Sequence, residues 1–365
     1  MEDIDPAPAE LTASDPLAMA TVVAPSDPDS ARFEALERFF AEVAPRITAR
    51  IREKVASREL SGYLDVATYA VTGGKKIRPG ISVLTFRALG GTFADEDQVF
   101  DIACSAELLH QGSLILDDVV DQALARRGQP TVAQQYGSAF GVVAAGGLAT
   151  LALSMACGVS RGQMAGRLVA EIADDLMTGN AMDVLGIGFD NAQYEKLLAL
   201  KTASLFRAAA QWGAIMAYST PDVQGACNRF GVETGLAYQV TDDVTDFLTT
   251  KVTGQRDGTL AERRITLPLI HLWENDADSR PLLEKFADKR QEFSDDDLLM
   301  LFLGLERARS IEYALGVAGL HRENALRALD SVRFPDGGWC PKHRAMLRLL
   351  PEYVCLALLK EVPGG

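Results

Sequence analysis

The sequence predicts an all-α protein folded as a single large helical bundle. Apolar residues recur at helical spacings almost throughout, no segment alternates as a half-buried strand would, and breaker clusters cut the chain into roughly ten or more segments with mostly short connections. The pattern opens with Phe33, Leu36, Phe39, Phe40 and Val43 at three- and four-residue spacings, and Ile47, Ile51 and Val55 continue it at four.

Residues 1–30 are rich in Pro, Asp, Ala and Ser without sustained periodicity, which predicts a flexible tail ahead of a helical domain over 31–365. Breaks are expected at Gly73-Gly74, Gly90-Gly91, Gly128 to Pro130, Ser219 to Pro221, Gly254 to Gly258 and Pro335 to Gly338. The stretch from Gly128 to Ser160 carries no charge and contains the apolar run Ala139 to Ala156. Ala and Gly prevail there and Leu is sparse, so a buried, closely packed helix is expected and no stable membrane insertion. No internal repeat marks a solenoid.

The 365 residues are 48% hydrophobic and 24% charged, a globular composition. A formal net charge of −14 argues against a nucleic-acid partner, because phosphate-backbone affinity needs a basic face. Five scattered cysteines, Cys104, Cys157, Cys227, Cys340 and Cys355, form no CxxC pair and leave an odd total, which reads as free thiols in a reducing compartment. The opening Met1-Glu2-Asp3 has neither the basic nor the apolar region of a secretory signal, so a cytoplasmic location is expected.

Chemistry enters with two Asp-Asp-x-x-Asp motifs, Asp117-Asp118-Val119-Val120-Asp121 and Asp242-Asp243-Val244-Thr245-Asp246, each at the end of an apolar helical segment. First and last carboxylates lie four residues apart, stacked on one helix face. Like charges that close repel and Asp is a poor helix former, so a bare helix gains nothing from the arrangement. A hard divalent cation bridging carboxylates to phosphate supplies the reason, and two such clusters fit a phosphate ester held between them. One motif alone would read as a solvated helix face.

Against the acidic background, cations concentrate at Lys75, Lys76 and Arg78, at Arg126-Arg127 and at Lys201. The plain reading is surface or helix-end charge; the functional one is Arg and Lys gripping two diphosphates, one through metal and one directly. His110 lies seven residues before Asp117 on the same helix face. Gln239 stands three, four and seven residues before Asp242, Asp243 and Asp246, so these four also share a face.

The string Gly73-Gly74-Lys75-Lys76-Ile77-Arg78-Pro79, then Glu107-Leu108-Leu109-His110, the first Asp motif, Arg126-Arg127-Gly128, Lys201-Thr202, Tyr238-Gln239 before the second motif and Thr266-Leu267-Pro268 resembles the trans-isoprenyl diphosphate synthases, or polyprenyl synthetases. The match runs in order over roughly residues 35 to 355. The resemblance implies a helical bundle of the isoprenoid synthase type around a central cavity, a homodimer, and three Mg²⁺ ions per active site. The implied reaction joins isopentenyl diphosphate, head to tail and in trans, to an allylic diphosphate.

By the same resemblance, Lys75, Arg78, His110 and Arg127 hold isopentenyl diphosphate, while Arg126, Lys201, Thr202 and Gln239 serve the allylic substrate. Asp117, Asp118, Asp121, Lys201, Asp242 and Asp243 are implied to be catalytic, with Asp117, Asp121, Asp242 and Asp246 as metal ligands. Metal and cations would stabilise the departing diphosphate, the alkene would attack the allylic carbon, and proton loss would complete the product. Gly112 and Ser113, five and four residues before Asp117, stand where members with short products resemble one another in carrying an aromatic plug. A product of C20 or longer is therefore expected.

The chain departs from the family pattern at Leu116, at Gly147 and, more seriously, between Lys251 and Arg264. A diphosphate-touching Lys is replaced by Gln255, an expected Asp is deleted, and Arg263-Arg264 replaces a second Gly-Lys pair; Lys251, Arg256 and Arg264 are the candidate substitutes. Two rival readings follow. A terpene synthase on the same scaffold would act without isopentenyl diphosphate, and Lys75, Arg78 and His110 argue against it. A non-catalytic partner subunit would not need both Asp motifs and Lys201.

Overall fold

The computed structural model describes residues 30–56, 69, 74–126, 128–256, 258–332 and 341–363. Residues 1–29 of the expected tail, Gly73, Arg127, Cys340 and the expected break at Pro335 to Gly338 lie outside the described residues, and Ser30 already belongs to the first helix. In chain order the α-helices are α1 (Ser30–Ala56), α2 (Ile77–Ala88), α3 (Glu96–Val120), α4 (Val132–Tyr136), α5 (Ser138–Cys157), α6 (Gly162–Leu185), α7 (Asn191–Leu198) and α8 (Ser204–Met216). They continue with α9 (Pro221–Thr253), α10 (Gly258–Glu262), α11 (Leu267–Asn275), α12 (Arg280–Ala287), α13 (Asp295–Arg307), α14 (Ser310–Asp330) and α15 (Pro341–Leu359).

The all-α expectation holds, with one exception among the described residues. Ala125–Arg126 pairs antiparallel with Gln129–Pro130 as a two-residue hairpin, its turn helped by Gly128 at φ 73°. Helix starts follow side-chain chemistry. Thr220 accepts from the Val223 N–H with Pro221 in the first turn of α9, Asp190 accepts from Ala192 and Gln193 at α7, and Ser294 with Asp297 forms a capping box at α13.

Two buried apolar clusters fill the bundle. The larger joins α1, α2, α3, α5, α6, α8, α15 and the first half of α9 through residues such as Phe40, Phe86, Leu108, Leu148, Trp212 and Phe230. The smaller gathers the second half of α9 with α11 to α14 around Phe247, Leu269, Phe286 and Leu301. Helix α9, 33 residues and about 50 Å long, runs through both. Its approach to α8 is main chain to main chain: a Cβ on Gly231 would sit 2.6 Å from the Arg207 Cα, and one on Gly235 would sit 2.6 Å from the Ala203 Cα.

Helix α5 meets its expectation on one side only. Ala144, Leu148 and Ala152 pack inward, while Val142 and Val143 are 49% and 65% exposed. The α3 segment and α5 are both long and apolar enough to cross a membrane by length and composition, yet α3 is mostly buried inside the bundle. The described cysteines are free; Cys104, Cys227 and Cys355 are buried, Cys157 is exposed, and burial pushes the Cys227 thiol up to about 12.

Lys76, in a left-handed backbone conformation at the start of α2, turns inward instead of toward a ligand. Its Nζ donates to Glu107 Oε1 at 2.8 Å, both side chains are buried, and Gln111 donates to the same oxygen at 2.7 Å. An unpartnered buried charge costs roughly 3–5 kcal/mol. Glu107→Leu is therefore expected to lower the free energy of unfolding by about that much, and Lys76→Met/Glu107→Leu to recover most of it, as read by urea unfolding monitored by circular dichroism.

Candidate active site

A cavity of about 690 Å³ opens where the C-terminal ends of α3 and α6 meet the second half of α9 and the segment between α10 and α11. Helix α3 contributes Asp117 and Asp121 to its wall, α6 contributes Asp183, and α9 contributes Gln239 and Asp243. Asp117 and Asp121 of the first motif and Asp243 of the second therefore line one space, while Asp242 and Asp246, expected as metal ligands, are not among its lining residues. Lys201 and Thr202 enter it from a π-helical turn, Ala199–Ala203, between α7 and α8. Such a turn carries one residue more than an α-turn and re-aims the side chains it holds.

Asp183 organises the cations. It receives the Lys201 ammonium, which also stands 3.4 Å from Asp117, and lies 3.7 Å from the Arg264 guanidinium, which reaches Asp121 at 3.0 Å. Burial raises Asp183, but Arg264 and Lys201 outweigh it and hold the carboxyl below its ordinary range. At Asp117 the balance reverses: burial lifts the carboxyl further than the same two cations lower it. Asp118 points elsewhere and accepts from Arg126 at 2.8 Å.

On α9, Gln239 Nε2 donates to Asp242 at 3.2 Å and to Asp243 at 2.9 Å, while its Oε1 accepts from Thr202 at 2.8 Å. The shared face read from the spacing is thus a hydrogen-bonded unit. The Tyr194 hydroxyl donates to Asp243 at 2.6 Å. Burial pushes Asp243 up to about 7 despite those bonds, and burial with the neighbouring Asp246 charge pushes Asp242 up to about 6. Asp246 accepts the Thr259 N–H at 2.8 Å, tying the motif to α10.

The second group of predicted residues lies near α2. Arg78 Nη1 stands 3.2 Å from His110 Nε2, and its guanidinium lies over the Phe206 and Tyr238 rings at 4.9 and 5.7 Å. Lys75 is half-exposed and pairs with Glu361 at 3.3 Å. Arg127 lies outside the described residues. Ser113 is buried and donates to the His110 carbonyl at 2.8 Å. Gly112 faces α5, where a Cβ would approach the Ala145 carbonyl to 3.3 Å, so its small size also serves helix packing.

Among the three cations offered as substitutes for the missing Lys, geometry selects one. Lys251 and Gln255 are exposed, and Arg256 turns away to Asp295 and the Phe293 carbonyl. Arg264 alone of the three lines the cavity. Sequence reasoning missed Asp183 and Tyr194. An isolated Asp between Met182 and Val184, three residues after Asn180, was the available signal for the first; nothing local ties Tyr194 to a carboxylate 49 residues away.

The donor set suits a hard divalent cation. It is all carboxylate oxygen, and among the described residues no three acidic, His or Cys side chains converge on one point. A cation held there would complete its shell with ligand oxygen and water, the habit of Mg²⁺.

Comparison with known proteins agrees with this geometry. Residues 61–300 match the polyprenyl synthetase family model. A geranylfarnesyl diphosphate synthase of Aeropyrum pernix is 31% identical over 77% of this chain and 90% of its own length. An octaprenyl diphosphate synthase of Haemophilus influenzae is 30% identical over 71% and 78%. The crystal structure of geranylgeranyl pyrophosphate synthetase from Pyrococcus horikoshii superposes with a TM-score of 0.76 at 25% identity, covering 88% of this chain and 99% of that one. A decaprenyl diphosphate synthase from Rhodobacter capsulatus gives the same TM-score and identity over 88% and 98%. With carboxylates from both Asp motifs lining one cavity and a family match over most of its length, the chain belongs to the polyprenyl synthetase family.

Proposed function

We propose that the chain is a prenyltransferase that condenses isopentenyl diphosphate with an allylic diphosphate to give a prenyl diphosphate of C20 or longer, releasing diphosphate. The observation that carries this reading is the convergence of Asp117, Asp121 and Asp243 with Lys201 and Arg264 on one cavity. A diphosphate entering there meets cations already held at its rim. Asp117, Asp121, Asp242 and Asp246 are the proposed holders of Mg²⁺, three ions per site. Mg²⁺ bound there would screen the diphosphate and take up charge as it departs.

The chain's own residues have distinct roles in this reading. Lys201 and Arg264 stabilise negative charge on the leaving group, and Asp183 fixes their position. Thr202 and Gln239 hold Asp242 and Asp243 in register. Arg78 and His110, with Lys75 and Arg127, take the diphosphate of the isopentenyl substrate, which leaves a terpene synthase without a reason for that pocket. The exposed apolar side of α5 is the proposed homodimer face, and the cytoplasm the proposed location.

The test is incubation of the purified chain with Mg²⁺ and C10, C15 or C20 allylic diphosphates, with and without isopentenyl diphosphate, followed by mass spectrometry. Elongation by C5 units only in its presence is expected, abolished by EDTA and restored by Mg²⁺. Hydrocarbons or alcohols formed without isopentenyl diphosphate would sink the reading in favour of a terpene synthase.

Asp117→Asn and Asp243→Asn are each expected to lower kcat by roughly 100-fold or more, the scale of losing one preorganised contact to the leaving charge, through the cations that Asp117 holds and the side-chain register that Asp243 keeps, with an unchanged far-UV spectrum. Ser113→Phe, with its ring about one helical turn beyond Asp117, is expected to shorten the product by at least one C5 unit; an unaltered product distribution would refute that path for the growing tail.

A further inference from the structure

Four cations line the cavity: Lys201, Arg263, Arg264 and Lys289. The first and third are engaged by Asp117, Asp121 and Asp183. Arg263 is engaged by main chain, donating to the carbonyls of Phe286 and Gln291 at 2.7 Å each and to that of Lys285. Lys289 forms no ion pair within 4 Å among the described residues, yet its charge helps to lower Asp183. It comes from the loop between α12 and α13, a part of the chain that none of the sequence motifs reaches.

Arg263 explains how that loop arrives. Its φ is 55°, a left-handed conformation that favours glycine, and a Gly stands at this place in the family pattern. The strain is offset because the guanidinium satisfies two carbonyls in the last turn of α12, which the helix itself leaves unpaired, and one in the loop beyond. The α10–α11 segment is thereby stapled to the loop carrying Lys289. At position 255, where the family pattern has Lys, this chain has an exposed Gln whose main-chain N–H donates to the Thr253 hydroxyl.

We infer that Lys289 is a substrate-binding residue for the allylic diphosphate, held in place by Arg263, and that it adds to Arg264 in making up for the cation missing at position 255. The inference rests on the site being a diphosphate pocket, as proposed above. Arg263 is a positioning residue: its donors are taken up by carbonyls, and it acts by bringing Lys289 to the cavity.

Calorimetric titration of inorganic diphosphate with Mg²⁺ into the intact chain tests this without turnover. Lys289→Ala is expected to weaken binding about five- to tenfold, the scale of one charge-assisted hydrogen bond from an exposed cation, and Lys289→Arg to retain most of it. Arg263→Ala is expected to weaken binding to the same extent, and Arg263→Ala/Lys289→Ala no further than either alone. In steady-state assays Lys289→Ala should raise KM for the allylic substrate and leave KM for isopentenyl diphosphate within about twofold, as expected of a cation serving one pocket.

Wild-type affinity in Lys289→Ala, equal losses in Lys289→Ala and Lys289→Arg, or additive losses in the double variant would overturn the inference. A wild type that binds diphosphate but elongates nothing would defeat the synthase reading while leaving Lys289 to be decided by the titration. A wild type without affinity for diphosphate would overturn both.

Discussion

Burying carboxylates close together is the constraint around which the rest of the molecule is arranged. Asp242 and Asp243 lie deep in α9, both lifted by burial, and Asp117 is lifted in the same way on α3. Charge in a poorly solvated interior is costly unless it is paired or hydrogen-bonded. The two sides of the cavity meet this cost differently. On the α3 and α6 side, Lys201 and Arg264 supply counter-charge through Asp183. On the α9 side, neutral donors do so, with Gln239 and Tyr194 fixing the carboxylates directly. That asymmetry leaves one side rich in cations and the other short of positive charge, which suits a ligand that brings anion and metal together.

The fold class and the two motifs were legible because their signals are local. Helical spacing of Phe33 to Val55 needs only neighbouring residues, and the Gln239 face follows from a three- and four-residue count that the hydrogen bonds reproduce. The pairing of Arg78 with His110 became legible through the resemblance, since 32 residues separate them. Asp183, Tyr194 and Lys289 were not legible, because each reaches the cavity from a helix or loop whose own sequence carries no motif. Lys76 shows the opposite failure: it sits inside a basic cluster, yet an αL backbone turns it into the core toward Glu107.

The altered stretch from Lys251 to Arg264 shows why departures from a family pattern need a structure. Read as a string, it has lost a Lys and an Asp and gained two arginines. In space the arginines do different work: Arg264 joins the cavity wall, while Arg263 fastens one segment to another through carbonyl oxygens. A residue-by-residue comparison sees substitutions; the fold sees charge moved from one loop to another.

The contact between α8 and α9 fixes one dimension of the site. Because Gly231 and Gly235 let the backbones touch, the spacing of α9 from α8 and from the π-helical turn bearing Lys201 is gauged by main chain at these two points. A side chain larger than hydrogen at either glycine would have to push the two helices apart, and the wall that carries Lys201 would move with them.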